Sequence, residues 1–268
     1  MMHQILRHTA TMVANGAQFL ESNQFEEAYN QFATALGILV RAENMCLSGQ
    51  APVSTTSTTT GSTPAETVKS RIQDDCLLEQ LSAMDRSMKQ LPSASRRSSM
   101  NHKENDSTSS TTSTAHSFRN DAFFVYDEPL LFEPDETEDA NGSSQVNVAF
   151  YKAILLYDIA ITLHRQSHGV DSWSVYRALH FYELCLECCR TKCATHANCL
   201  EIMAAALNNK AHIYYDHSEF STARSLLDTL LVTMIFTYGR PLELEEKNTQ
   251  GILFNLYMLR MPTTARCA

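Results

Sequence analysis

Leu207 to Leu231 reads LNNKAHIYYDHSEFSTARSLLDTLL, and this stretch decides the architecture. Leu207, Ala211 and Tyr214 stand at i, i+4 and i+7, one face of an α-helix. The polar tetrad Asp216-His217-Ser218-Glu219 interrupts that stripe. Ser218 is the expected N-cap of a second helix, with Glu219 favourable in its first turn. Phe220, Ala223, Leu227 and Leu230 then resume the pattern. A single helix of this length is marginal in water, whereas small residues at the contact, Ala211 and Ala223, let two helices close on each other. Such a hairpin still has one uncovered apolar face and calls for another hairpin beside it, the logic of a solenoid.

The same spacing recurs near the start. In NGAQFLESNQFEEAYNQFATAL, residues 15–36, the pattern is carried by Gly16, Phe19, Phe25, Ala28, Phe32 and Ala35 around the tight turn Ser22-Asn23-Gln24. Both stretches resemble the tetratricopeptide repeat (TPR), a helical pair of about 34 residues. The family's small first-helix residue falls on Ala211 and its aromatic on Tyr214. Its second-helix alanine falls on Ala223, its large apolar partner on Leu227 and its last packing position on Leu230. Lys210 and Asn15 depart from it, standing where the family usually has Leu, and so does Ile235, where it often has Pro. The resemblance implies an all-α fold of antiparallel helical hairpins stacked as a short solenoid.

Around these hairpins the chain divides by composition. Residues 1–46 form the N-terminal hairpin; Met1–Leu20 holds Arg7 and no acid, a presequence-like feature that a helix of the fold explains equally well. Residues 47–118 form a long Ser/Thr-rich insertion, expected to be disordered because it has too little apolar surface to offset ordering entropy. Within it Val68, Ile72, Leu77, Leu81, Met84 and Met88 keep near-helical spacing. A helix over 64–91 is therefore expected, either transient or a docking element. Arg96-Arg97-Ser98-Ser99 matches a basic-directed kinase motif and makes Ser99 a candidate phosphosite.

Residues 119–144 make an acidic-aromatic segment; 121–140 alone carries eight acids and no base. Pro129 and Pro134 exclude a long helix, so an extended run is expected, docked on the helices or free as a linear motif. Residues 145–261 are helical again. Val148, Ala149, Ala153, Leu156, Ala160 and Leu163 lie inward on a long first helix; Ala178, Tyr182 and Cys185 pack the next. Ile252, Leu253, Leu256 and Leu259 lie inward on the last helix. Residues 262–268 are a tail.

Several functions are excluded or weakened. A net charge of −9 opposes phosphate neutralisation, so no nucleic-acid partner is expected. No apolar run is long enough to span a membrane, and the reading is intracellular, cytoplasmic or nuclear. GxSxG, P-loop, dinucleotide and HExxH signatures are absent, so no enzyme and no cofactor are expected. Cys185, Cys188, Cys189, Cys193 and Cys199 cluster near His180 and His196. Cys189, Cys193 and His196 would share a helical face, which leaves a zinc- or redox-sensing module as the alternative; reduced core cysteines are the plainer account. The helical histidines His164, His180, His196 and His212 have no evident Asp or Ser partners.

TPR domains that clamp chaperone C-terminal carboxylates use basic and Asn side chains on their concave faces. Val13 and Asn208 stand at the equivalent places, so the basic clamp is missing. Asn208-Asn209 suggests an amide pair for backbone recognition, or caps, or solvated residues. The candidate binding residues are Asn208, His212, Tyr215 and Asp216, for a peptide or helix of another protein or of this one.

Overall fold

The computed structural model describes residues 2–48, 79, 123–132, 148–167, 172–191, 199–236 and 246–260. The expected insertion beyond Ser48, its helix (apart from helical Glu79), Ser99 and the tail lie outside them. The described residues comprise helices and one extended segment, with no strand among them. The helices are α1 (Met2–Glu21), α2 (Phe25–Ser48), α3 (Val148–Gln166), α4 (Ser172–Thr191), α5 (Cys199–Asp216), α6 (Phe220–Phe236) and α7 (Glu246–Arg260). The extended segment, residues 123–132, forms a strap. Each helix packs on its chain neighbour, α3 follows α2 directly in space, and α3 also reaches α5.

The α1–α2 and α5–α6 hairpins close with the same turn. Asn23 N–H bonds Leu20 C=O at 3.1 Å and Gln24 N–H bonds Phe19 C=O at 2.8 Å; Ser218 N–H bonds Tyr215 C=O at 2.9 Å and Glu219 N–H bonds Tyr214 C=O at 2.8 Å. This is the Schellman pattern, whose pivot residue is left-handed, and Asn23 and Ser218 have φ of 57° and 62°. Ser218 is therefore the C-terminal pivot of α5, not the N-cap of α6. Glu219 takes the capping place: its C=O accepts Ala223 N–H at 3.0 Å.

One shift of 195 residues (23 to 218, 16 to 211, 32 to 227) superposes the two patterns in sequence. Ala28 and Ala223, Phe32 and Leu227, and Ala35 and Leu230 are all buried. A Cβ on Gly16 would lie 2.6 Å from the Phe32 ring. The matching places in the second hairpin hold Ala211 and Leu227, both buried, a larger small residue and a smaller large one. The pair compensates in volume, as close-packed interiors require.

Three contacts seat the later helices on the first hairpin. Lys152 on α3 pairs with Glu43 on α2 at 2.9 Å, its side chain 3% exposed. The guanidinium of Arg165 lies 5.8 Å from the centre of the Phe25 ring and that of Arg177 5.3 Å from that of Tyr29. Positions 15 and 210, related by the same shift of 195, are polar in both hairpins. Asn15 is exposed, and Lys210 pairs with Glu183 at an outer cleft of about 520 Å³ between α4 and α5.

Helix α3 is buried nearly all round, as its continuous apolar sequence implies. On α7, Ile252, Leu256 and Leu259 are buried, but Leu253 is 48% exposed. It lies beyond the inward arc because Gly251 and Asn255 occupy that arc facing the strap.

Candidate functional site

The strap crosses α7, α5 and α3, and these helices hold it chiefly by its main chain. Asn255 on α7 accepts Phe124 N–H through Oδ1 at 2.7 Å and donates from Nδ2 to Phe124 C=O at 2.7 Å. Asn209 on α5 does the same for Tyr126, accepting at 2.8 Å and donating at 2.7 Å. A carboxamide carries one acceptor and one donor group in a plane, so it matches both polar groups of a single extended residue. Residues two apart present the same edge of an extended chain, which is why alternate residues, Phe124 and Tyr126, are gripped.

Further groups align these clamps. Asn208 donates to Phe124 C=O at 3.0 Å and accepts Asn255 Nδ2 at 2.8 Å. The Tyr157 hydroxyl donates to Tyr126 C=O at 2.8 Å. Asn208, Asn209 and Asn255 have 1% exposure or less. Farther along, Asp158 on α3 accepts Leu130 N–H at 2.8 Å.

The strap side chains have separate seats. Phe123 lies on His212 and Tyr215, with centroids 5.4 and 5.1 Å away. Phe124 covers Gly251, where a Cβ would come within 2.3 Å of its ring. Tyr126 is buried and its hydroxyl reaches Glu201 at 3.3 Å; Phe132 stacks on Tyr151 at 4.5 Å. At the rim Lys247 pairs with Glu128 at 3.0 Å.

Beneath the clamps lies a polar network. Asn209 Nδ2 also reaches the Tyr157 and Tyr182 hydroxyls, each at 3.2 Å. Tyr182 meets His164 at 3.3 Å and His164 Nε2 meets His212 Nδ1 at 3.1 Å. Burial pushes the Tyr157 and Tyr182 phenols up, keeping both neutral. Burial likewise raises the Asp158 carboxyl well above the ordinary carboxylate range, with the Leu130 N–H opposing it. Its Oδ2 is buried without a hydrogen-bond partner among the described residues, an arrangement that favours the neutral acid.

Of the four candidate residues, the structure brings three to the strap. Asn208 bonds its backbone, and His212 and Tyr215 carry Phe123. Asp216 stands outside: it is half-exposed and reaches only the far side of His212, at 3.4 Å. Asn208 is thus a buried strap-facing group and neither a cap nor a solvated one. His164 and His212 form a buried pair, and Asp216 flanks it, so these histidines do have partners.

Asn255, Asp158 and Tyr157 also bond the strap backbone, and the sequence pattern does not single them out. Their signal is a polar residue set within an apolar helix stripe, as in ILLYDIAITL and ILFNLYML. The thiols of Cys185 and Cys188 donate to the Ala153 and Ala149 carbonyls, and Cys189 and Cys199 are buried. Cys193 and His196 lie outside the described residues, and among the described residues no group of three His, Cys, Asp or Glu is placed to hold a metal. No described helix is long and apolar enough to cross a membrane. No protein-family model, curated protein or solved structure matches the chain.

Proposed function

We propose that this protein is a non-catalytic, TPR-like interaction scaffold whose inner groove grips an extended peptide by its main chain. The observation that carries this reading is the pair of carboxamide clamps, Asn255 on Phe124 and Asn209 on Tyr126, each engaging both backbone groups of one residue. The repeated Schellman turn and the siting of every clamp on α3, α5 and α7 favour stacked hairpins whose first helices line one face. The buried network under the clamps holds the carboxamides in orientation, the preorganisation that limits the entropic cost of binding. Buried thiols outside any disulfide among the described residues suit a reducing compartment, the cytoplasm being the simplest.

The test uses the full chain with the strap weakened by Phe124→Ser and Tyr126→Ser. A synthetic peptide of residues 121–134, DAFFVYDEPLLFEP, is titrated against it by calorimetry. Saturable one-to-one binding that is lost on Asn209→Ala supports the reading. Absence of binding, with helix content intact by circular dichroism, refutes it.

A further inference from the structure

The strap occupies the groove as a ligand would, yet it is laid on the surface. Of residues 123–132 only Tyr126 and Phe132 are buried, Asp127 is exposed and Leu131 is 63% exposed. The helices therefore cover most of its side chains only in part. The clamps read N–H and C=O groups, which every extended chain offers, so they do not by themselves distinguish the strap from another peptide. Selectivity resides in the side-chain seats: an aromatic on His212 and Tyr215, an aromatic over Gly251, a tyrosine reaching Glu201, and an acid at Lys247.

We infer that Phe123–Phe132 is a resident competitor, and that the groove's partner is an extended segment of another protein bearing two adjacent aromatics, a third aromatic two residues on and an acid two residues after that. The strap itself, FFVYDE over residues 123–128, is the template for that pattern. Lys247 supplies the charge complementarity: it meets Glu128 at the groove rim, both side chains 47% exposed. This inference rests on the peptide-groove reading.

Competition in cis has a calculable scale. Phe132 and Val148 are separated in sequence by residues 133–147. A ligand tethered through a short connection presents an effective concentration of order 1 mM. If the strap sequence binds in trans at about 10–100 µM, the resident copy weakens an incoming peptide by about 10–100-fold, since apparent affinity scales with the open fraction.

The experiment measures fluorescence anisotropy of labelled DAFFVYDEPLLFEP against the full chain, in wild type and in the Phe124→Ser/Tyr126→Ser form. Each is repeated with a scrambled peptide of the same composition and with Asn209→Ala/Asn255→Ala added. The expected result is about tenfold or greater tightening in the strap-weakened chain, no binding of the scrambled peptide, and loss of binding on the asparagine changes. Equal affinity in wild type and strap-weakened chains overturns the competitor role while leaving the peptide groove standing. Absence of binding to both, with helices intact, removes the groove reading as well. A wild-type dimer in sedimentation that the peptide dissociates assigns the groove to a second copy's strap and overturns the separate partner.

Discussion

Replacing Asn209 with alanine tests the clamp at its most enclosed point. Asn209 is wholly buried and accepts Tyr126 N–H at 2.8 Å while donating to its C=O at 2.7 Å. Alanine removes both bonds, about 1 kcal/mol net each, and leaves the buried Tyr126 N–H unsatisfied for about 1–2 kcal/mol more. The Tyr126 carbonyl keeps the Tyr157 hydroxyl, which limits the loss. The sum is about 3 kcal/mol on strap docking, about a hundredfold in its opening equilibrium. Native-state hydrogen exchange reads this directly, provided it is followed at Phe124 and Leu130, whose amides keep their partners Asn255 and Asp158. Both amides should exchange about a hundredfold faster, up to the rate of an open chain, while Ala28 and Ala35 in α2 stay protected. Unchanged exchange at Phe124 and Leu130, or an equal loss in α2, would refute the reasoning.

Other consequences follow from the same geometry. Gly16→Ala drives a Cβ into the Phe32 ring and should cost about 1–3 kcal/mol of global stability. Adding Phe32→Leu, which recreates the Ala211 and Leu227 combination, should restore most of it in urea unfolding. Gly251→Ala meets the Phe124 ring instead, so amide exchange should quicken at Phe124 first and at Leu130 less. Asp158 has its carboxyl raised by burial in the docked state. Its contribution is full below the ordinary carboxylate range and declines as pH rises through the raised value. Asp158→Asn keeps an acceptor for Leu130 N–H and cannot ionise. It should flatten the fall in urea midpoint from acid toward alkaline pH, and an unchanged slope contradicts the assignment.

The hairpins were legible in the sequence because helical periodicity and small-residue contacts are local: Gly16, Ala28, Ala211 and Ala223 announce the close approach by themselves. The turn was misread at Ser218 because a serine between two helices suits an N-cap and a left-handed pivot alike, and only the bonds from Ser218 and Glu219 to the preceding turn separate them. Asn208, His212 and Tyr215, singled out on one helix face, do contact the strap, and the strap's extended form agrees with its proline. Asn255 and Asp158 were not singled out, because their partners, Phe124 and Leu130, lie 131 and 28 residues away in sequence. A polar residue within an apolar stripe signals burial, but no local rule says which distant backbone group it grips. The His164–His212 pair depends in the same way on α3 meeting α5.

An amide-to-ester exchange in the peptide separates recognition of main-chain groups from recognition of side chains. In DAFFVYDEPLLFEP, an ester in place of the Val125–Tyr126 amide removes the Tyr126 N–H and nothing else that Asn209 holds. An ester at Asp127–Glu128 serves as control, since neither the Asp127 carbonyl nor the Glu128 N–H has a hydrogen-bond partner among the described residues. Titrated against the strap-weakened full chain, the first ester should bind about tenfold or more weakly, and the control should bind like the amide peptide. Equal affinity for all three peptides would contradict main-chain recognition.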